Sequence, residues 1–177
     1  MKLVVLDRDG TINHDSDQYI KSPAEWKPIK GSLEAIARLT QAGHRVVVAT
    51  NQSGIARGLF DMTALNAIHG AMQRAVHQAG GRIDAIFFCP HAADANCECR
   101  KPKPGMLLEI GRRMNAPLAG VPVVGDALRD LQAAAAAGAR PVLVLTGKGK
   151  QTRAAGGLPP GTEVFADLAA FAAKTAP

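Results

Sequence analysis

Two aspartates near the start of the chain, Asp7 and Asp9, follow a short apolar run and precede a Gly-Thr turn. The apolar residues 3–6 predict a buried strand, and ligands of open α/β sheets bind at the carboxyl ends of their strands. Two carboxylates in such a crevice suit a hard cation, and one of them can then act as a nucleophile. Taken alone, the pair is as compatible with two solvated acids in a polar turn as with this chemistry.

Three later segments also place polar groups where strands are predicted to end. Thr50 follows the apolar run 46–49 and offers a hydroxyl group to an oxyanion. The loop after it, Asn51, Gln52 and Ser53, offers backbone amides to the same oxyanion. The basic segment 100–104, Arg-Lys-Pro-Lys-Pro, lies before a predicted helix start, where anions are favoured. Asp126 ends a run of two valines and a glycine, and Asp130 follows one helical turn later. Singly, each segment is typical of a cap or a turn; together they predict one site at a sheet edge.

The three cysteines of the chain all lie in the segment 89–99. With one histidine they form the pattern Cys-x-His…Cys-x-Cys, whose members are Cys89, His91, Cys97 and Cys99. Three thiolates and one imidazole complete a closed tetrahedral Zn²⁺ site, and a metal would order a loop that has no core of its own. Free cysteines beside an unrelated histidine are the alternative. The pattern predicts a structural zinc loop that leads directly into the basic segment.

The order of the predicted elements indicates an α/β fold with a Rossmann-like, doubly wound parallel sheet. Apolar strands are predicted over residues 3–6, 45–49, 83–88, 121–124 and 141–145 and near Val164. The first helix is predicted from Ser32, as its N-cap, to Gly43. Further helices are predicted over 63–79, 104–114 and 127–137 and from Asp167 onward. The segment after Leu145 is predicted to be a Gly/Lys-rich loop. Uninterrupted apolar strands that alternate with helices are covered on both faces. No linker marks a second domain, so we expect one domain over 1–177, with the zinc loop inserted at about 89–99.

Length and composition narrow the class of protein. A chain of 177 residues, with 47% hydrophobic and 20% charged residues, is long enough for one well-buried globular domain. The net charge of +6 favours an anionic partner, whereas only 4% aromatic residues and no dense basic run disfavour nucleic acid. No run has the length of a membrane span, and the first residues lack the layout of a signal peptide. We therefore expect a cytoplasmic monomer that acts on a small anionic substrate and binds neither nucleic acid nor membrane.

The ordered set Asp-x-Asp-Gly-Thr, strand-end Thr, Lys and Gly-Asp-x-x-x-Asp resembles the motifs of the haloacid dehalogenase (HAD) superfamily of phosphotransferases, over almost the whole chain. The resemblance implies a Mg²⁺-dependent phosphatase in which Asp7 is the nucleophile and Asp9 the general acid and base. It implies that Thr50 and Lys101 hold and neutralise the phosphoryl group. The implied Mg²⁺ ligands are Asp7, the backbone carbonyl of Asp9, and Asp126. Asp130 is implied to lie next to these ligands without binding the ion itself.

Two details of these roles follow from physical chemistry. Asp9 has to be protonated when the first product leaves, so we expect its pKa to lie above the usual value for an aspartate. A cation has to offset the repulsion between the phosphate and the carboxylate nucleophile. Spacing alone does not decide whether Lys101 or Lys103 is that cation, and the Arg-Lys-Pro pattern of the branch described next favours Lys101.

The cysteine loop resembles that of a small capless branch of the superfamily, which contains heptose bisphosphate phosphatases and histidinol-phosphate phosphatases. The segments DRDGTIN, TNQSGIARG and CRKPKPGM are more similar to the heptose enzymes. This similarity implies hydrolysis of the 7-phosphate of heptose 1,7-bisphosphate through an aspartyl-phosphate, in the synthesis of lipopolysaccharide precursors. Histidinol phosphate is one alternative substrate. Phosphorylated ends of nucleic acids are another, although the low aromatic content disfavours them. The intact motif set disfavours a non-catalytic binding module of the same fold.

The heptose reading also requires residues that bind the sugar and its second phosphate. Arg100 is the preferred anchor of that phosphate, because a guanidinium group binds phosphate through two hydrogen bonds and because it borders Lys101. The other predicted substrate contacts, with Lys148 or Lys150 as additional cations, are Arg57, Asp15, Asn51, Gln52 and Ser53.

Overall fold

Six parallel strands form the central sheet of the protein, in a computed structural model that describes residues 2–177. The strands are β1 (Lys2–Leu6), β2 (His44–Asn51), β3 (Ala85–Cys89), β4 (Pro122–Gly125), β5 (Arg140–Val144) and β6 (Glu163–Phe165). Their order in the sheet is β3-β2-β1-β4-β5-β6, and every neighbouring pair is parallel. The chain order reverses between β1 and β4, which is where a doubly wound sheet opens a ligand crevice. The predicted α/β fold is confirmed.

Within the described residues, six α-helices connect and cover the strands. They are α1 (Ser32–Gln41), α2 (Met62–Gln78), α3 (Gly105–Arg113), α4 (Leu128–Ala136), α5 (Gly149–Ala155) and α6 (Leu168–Thr175). Two of them begin at capping aspartates, since Asp61 accepts from the Ala64 N–H and Asp167 from the Ala170 N–H. None of these six is both long and apolar enough to cross a membrane.

Two local predictions are wrong. Ser32 is the first residue of α1 rather than its N-cap, because Gly31 precedes it with a φ of +85°. The Ser32 hydroxyl instead donates to the Thr11 carbonyl oxygen at 2.9 Å. In addition, α5 lies within a segment that was predicted as a loop. Its seven residues begin with a glycine and are followed by another, and they are too few to show an apolar period.

Apolar residues of the strands face the two sides of the sheet alternately. In β1, Val4 and Leu6 belong to the core on the side of α1, α2 and α6, whereas Leu3 and Val5 belong to the core on the side of α3 and α4. All four are at most 4% exposed, and full burial of one such side chain contributes about 1.5–3 kcal/mol. Burial on both faces explains why residues 3–6 of β1 form a continuous apolar run, which is followed by polar residues at the carboxyl end of the strand.

Loops, rather than a folded cap, follow β1 and β3 at the carboxyl edge of the sheet. Residues 7–31 contain one short 3-10 turn, Pro23–Glu25, and residues 90–104 contain neither helix nor strand. These two loops carry most of the motifs that the sequence singled out. They leave the carboxyl edge open, as the predicted capless fold requires.

Candidate active site

Asp7 and Asp126 follow β1 and β4, the two strands between which the chain order reverses. The N–H of Asp7 donates to the Val124 carbonyl oxygen at 2.8 Å and so joins the two strand ends. Gly10, with a φ of +83°, lies so close to Asp126 that a Cβ at position 10 would collide with the carboxylate. The Gly-Thr turn therefore packs directly against Asp126, whose carboxylate lies in one cluster with that of Asp7.

The segment around α5 holds Asp126 from the other side. The Lys148 N–H donates to Asp126 Oδ2 at 2.8 Å, and the Thr152 hydroxyl donates to the Asp126 carbonyl oxygen at 2.7 Å. The Thr146 hydroxyl donates to the Gly10 carbonyl oxygen at 2.7 Å. The helix that the sequence did not predict thus positions a predicted Mg²⁺ ligand.

The ammonium group of Lys101 lies among the carboxylates. Its Nζ is 2.9 Å from Asp7 Oδ1 and 2.7 Å from Asp130 Oδ1, and it donates to the Ala49 carbonyl oxygen at 2.7 Å. The Lys101 side chain is 2% exposed, whereas that of Lys103 is 42% exposed and pairs with a surface glutamate. The structure therefore brings Lys101, and not Lys103, to the carboxylates.

Two amide side chains that were predicted to touch substrate hold the site together. Asn51 bridges the Lys101 backbone: Nδ2 donates to the carbonyl oxygen at 3.0 Å, and Oδ1 accepts from the N–H at 3.1 Å. Gln52 Nε2 donates to Thr50 Oγ1 at 2.9 Å and to Asp9 Oδ2 at 3.1 Å. Both amides therefore position the lysine, the threonine and the second aspartate, although both residues also line the cavity described below.

Three buried carboxylates, those of Asp7, Asp126 and Asp130, each offer an oxygen within 4.8 Å of the others. Burial, and next the charge of Asp130, raise the pKa of Asp7 to about 8, although Lys101 opposes the shift. Burial and Asp130 also raise the pKa of Asp126 to about 6. Lys101 offsets only part of this mutual repulsion, and a hard cation with oxygen ligands such as Mg²⁺ would supply the further positive charge.

Asp9 differs from its neighbours in its electrostatics. Burial alone would raise the pKa of Asp9, but the charge of Arg8 and hydrogen bonds from Arg8, Asn13 and Gln52 outweigh burial and lower it. Asn13 Nδ2 donates to Oδ1 at 2.9 Å, and the Arg8 Nε donates to the same oxygen at 2.8 Å. The prediction of a raised pKa is wrong, because these donors, which the sequence pattern did not reveal, stabilise the ionised carboxylate.

A cavity of about 250 Å³ opens at this edge of the sheet, with Asp7 and Asp9 in its wall. The predicted residues that line it are Asp15, Thr50, Asn51, Gln52, Ser53, Arg100, Lys101 and Lys148. Arg57 does not line it, and its guanidinium carbon lies instead 5.9 Å from the centre of the Tyr19 ring. Lys150, the alternative to Lys148, is likewise absent from the wall.

The cavity wall also contains residues to which the sequence assigned no role, namely Ser16, Asp17, Tyr19, Ile20 and Arg129. Arg129 adds a second guanidinium group to that of Arg100. It lies inside the Gly-Asp-x-x-x-Asp segment, at the start of α4, so its place next to the aspartates was a readable signal. The sequence did not decide which residues of the loop 13–19 contact the sugar, because only the fold shows which of them lie over the carboxyl end of β1.

The four members of the cysteine pattern converge in the loop after β3. The Sγ of Cys89 is 3.7 Å from that of Cys97, 3.0 Å from that of Cys99 and 3.5 Å from Nδ1 of His91. Zinc–sulfur bonds of about 2.3 Å in a tetrahedron separate ligand atoms by about 3.8 Å, so the donor set fits zinc. Arg100 Nη1 donates to the His91 carbonyl oxygen at 3.3 Å and links this loop to the cavity.

Comparison with known proteins places the chain in a family. It is 64% identical, over 172 residues, to the D-glycero-β-D-manno-heptose-1,7-bisphosphate 7-phosphatase of Bordetella bronchiseptica, an alignment that covers 97% of this chain and 96% of the relative. The chain belongs to this phosphatase family. The Pseudomonas aeruginosa relative of the same name is 55% identical over 170 residues, with 96% and 95% covered. A sequence profile of HAD-hydrolase-like proteins matches residues 98–171, and the resemblance to the HAD superfamily is confirmed.

A solved structure agrees with this membership. The structure of this chain superposes with a TM-score of 0.98 on a crystal structure of the D,D-heptose 1,7-bisphosphate phosphatase from B. bronchiseptica. That crystal structure is a complex with magnesium and phosphate. Its sequence is 63% identical, and the match covers 99% of this chain and 98% of that one. The similarity therefore extends over the sheet and over the loops that carry the site.

The buried carboxylates predict that the stability of this heptose phosphatase family member depends on pH and magnesium. Because burial raises the pKa of Asp7 to about 8 from a usual value near 4, the folded protein holds more protons than the unfolded chain between these values. Stability should therefore fall as the pH rises through this window. In magnesium-free buffer we expect Tm to fall between about pH 5 and pH 8, where each kcal/mol lost lowers Tm by about 2–4 °C.

Saturating Mg²⁺ should raise Tm more at the higher pH than at the lower one, because it binds the ionised carboxylates. Thermal melts after dialysis, without a chelator that would also remove zinc, measure both effects. The Asp7→Asn variant should show a flatter pH dependence than the wild type. An equal response to magnesium at the two pH values would contradict the electrostatic reading of the cluster.

The zinc loop gives a second stability prediction. Cys99→Ser should lower the zinc content from about one ion per chain, and it should lower Tm by roughly 10 °C because the loop has no packed core of its own. Elemental analysis of unstripped protein and a thermal melt measure these effects. Glu98→Gln is the matched control, since this exposed neighbour should leave both unchanged. Wild-type protein with far less than one zinc per chain would show that the cluster is not a zinc site.

Proposed function

We propose that the chain hydrolyses the 7-phosphate of D-glycero-β-D-manno-heptose 1,7-bisphosphate, in the synthesis of lipopolysaccharide precursors. The observation that carries this proposal is the buried group of Asp7, Lys101 and Asp126 at the reversal point of the sheet, in a chain 64% identical to a phosphatase of that name. The names of the relatives support the substrate and its β anomer. The cavity of about 250 Å³, rich in charged residues, supports a small phosphorylated sugar.

The site fits a magnesium ion because, among the residues that the structure describes, three buried carboxylates surround the buried ammonium group of Lys101 and leave an excess of negative charge. Asp7, Asp126 and the backbone carbonyl of Asp9 would hold the ion, while Asp130 stays paired with Lys101. When bound, magnesium supplies positive charge that offsets the charge of the phosphate and orients it for in-line attack.

Asp7 is the proposed nucleophile. Its carboxylate oxygen attacks the phosphorus of the 7-phosphate, the bond between phosphorus and the sugar oxygen breaks, and an aspartyl-phosphate forms. Lys101, 2.9 Å from Asp7 Oδ1, reduces the repulsion between carboxylate and phosphate. Thr50 Oγ1 accepts a hydrogen bond from Gln52 at 2.9 Å and donates to the Asn51 carbonyl oxygen at only 3.5 Å, so its proton can turn to a phosphoryl oxygen at the cost of a weak bond.

Asp9 is the proposed general acid and base. It gives a proton to the departing sugar oxygen, and it then takes one from the water that hydrolyses the aspartyl-phosphate. The lowered pKa of Asp9 suits the second role. For the first role, the negative charge of the substrate phosphate raises the pKa of the neighbouring carboxyl group, so that Asp9 becomes protonated as substrate binds.

We propose that the second phosphate of the substrate binds at the end of the cavity away from Asp7. Arg100 remains the preferred anchor, and Arg129 and Lys148 add further positive charge to the same wall. Asp15 and Ser53 also line the cavity and are proposed to contact sugar hydroxyl groups. The zinc loop would fix Arg100 through its bond to the His91 carbonyl oxygen.

We also propose that residues 1–177 work as one domain and as a monomer in the cytoplasm, without a nucleic-acid or membrane partner. The support is that the residues assigned a role above already meet at one sheet edge within one chain, so the proposed chemistry needs no residue from a second copy. Wild-type molecular mass in solution, measured by light scattering, tests the monomer directly. A stable dimer would contradict it without affecting the assignment of the site.

Parallel kinetics with two substrates test the proposed function. With saturating Mg²⁺, kcat/KM for the β anomer of the heptose bisphosphate should exceed that for histidinol phosphate by roughly a hundredfold or more. A preference for histidinol phosphate would preserve the chemistry and overturn the substrate. No phosphate release from either compound would overturn the function itself.

A further inference from the structure

Arg8 stands between the two aspartates of the site in sequence, yet its side chain is fully buried and does not line the cavity. Its guanidinium group binds the Asp9 carboxylate through two hydrogen bonds, from Nε to Oδ1 at 2.8 Å and from Nη2 to Oδ2 at 3.1 Å. Such a bidentate pair fixes the plane of a carboxylate as well as its charge. Arg8 therefore sets the orientation of Asp9 from within the protein, outside the wall of the cavity.

The remaining terminal nitrogen of Arg8 faces a buried histidine. His69, on α2, is 7% exposed, and its Nε2 lies 3.2 Å from Arg8 Nη1. Arginine only donates hydrogen bonds, so Nε2 must accept and the proton of the neutral ring must be on Nδ1. Burial, and next the charge of Arg8, lower the pKa of His69 to about 4, which keeps the ring neutral and able to accept.

We propose that His69 is a positioning residue for the phosphatase reaction, which holds Arg8 and, through it, the Asp9 carboxylate in the orientation needed for proton transfer. The inference rests on the proposed function, because it takes Asp9 as the acid and base. Asn13 and Gln52 also donate to Asp9, so loss of the histidine should weaken this orientation without abolishing it. Part of the general acid's effect, roughly tenfold, should be lost.

The chemistry of the leaving group separates this role from a purely structural one. A sugar alkoxide needs the proton of Asp9 as the bond to phosphorus breaks, whereas 4-nitrophenolate leaves with its electron pair and needs none. For both substrates kcat/KM reports the steps up to the transfer of phosphate to Asp7. A misoriented Asp9 therefore lowers kcat/KM for the heptose bisphosphate and spares kcat/KM for 4-nitrophenyl phosphate.

The experiment compares both substrates in His69→Leu, His69→Gln and wild-type protein, with zinc bound and Mg²⁺ saturating. His69→Leu should lower kcat/KM roughly tenfold for the heptose bisphosphate and less than about twofold for 4-nitrophenyl phosphate. His69→Gln, whose amide oxygen can accept from Arg8, should restore most of the loss. A partly unfolded sample lowers both values equally and leaves their ratio unchanged. His77→Leu, at an exposed histidine of the same helix, is the matched control.

Asp9→Asn separates failure of the inference from failure of the proposed function. It should show the same dependence on the leaving group, but a larger one. If Asp9→Asn shows none, the acid role of Asp9 is wrong and the inference falls with it. If Asp9→Asn shows the dependence and His69→Leu lowers both substrates equally, or neither, only the positioning role of His69 is wrong.

Discussion

Asp7→Asn should abolish phosphate release from the heptose bisphosphate, with turnover reduced roughly a thousandfold or more. The amide is nearly the same size as the carboxylate but cannot attack phosphorus, and it is a weaker ligand for magnesium. The fold should persist, because the substitution removes one of three mutually repelling buried carboxylates while Lys101 keeps its ion pair with Asp130. Single-turnover kinetics with saturating Mg²⁺ measure the loss.

Asp17→Asn is the matched control for this substitution. It makes the same chemical change in the cavity wall, at a side chain that is 94% exposed and only loosely paired with Lys148. Its turnover should stay within a few-fold of the wild type. Normal zinc content and Tm would show that the Asp7→Asn protein is folded. If such protein also keeps more than about a hundredth of wild-type turnover, Asp7 is not the nucleophile.

Lys101→Met should lower kcat/KM roughly a hundredfold or more, because the phosphate then approaches carboxylates that no ammonium group offsets. The same change should lower the free energy of unfolding by about 3–5 kcal/mol, since it leaves buried carboxylates without their partner. Magnesium should recover part of the stability and little of the activity. Thermal melts and kinetics with and without Mg²⁺ separate the two effects.

Lys103→Met isolates the contribution of position 101. Both lysines belong to the same basic segment, but Lys103 is 42% exposed and pairs with Glu98, whose side chain is 82% exposed. Such an exposed pair is worth about 0–1 kcal/mol, so this variant should resemble the wild type in Tm and in kcat/KM. Equal losses in the two variants would mean that the segment acts through its overall charge, and not through one placed ammonium group.

The sequence was sufficient for the sheet and for its functional edge. Strands such as β1 are buried on both faces, so they appear as continuous apolar runs, and their first polar residues mark the carboxyl ends. The parallel order then brings Asp7 and Asp126 together, although they are far apart in the chain. The helix α5 escaped prediction because a short helix beside glycines leaves no periodic pattern.

Side-chain partners inside the site were harder to predict than the site itself. A motif identifies Asp9, but its ionisation depends on donors from Arg8, Asn13 and Gln52 whose directions only the folded chain determines. For the same reason the sequence predicts Asn51 as a substrate contact but does not reveal that its amide also pairs with the backbone of Lys101. Residue types and spacing predict which groups meet, whereas the local backbone decides what each group binds.

The most direct test of the proposed function is to follow the β anomer of the heptose 1,7-bisphosphate by ³¹P NMR while the protein and Mg²⁺ are present. We expect the signal of the 7-phosphate to disappear, inorganic phosphate to appear in equal amount, and the signal of the phosphate on C1 to remain. Loss of the C1 phosphate first, or loss of both at similar rates, would contradict the proposed binding of the second phosphate by Arg100 and the assignment of the 7-phosphate as the reacting group.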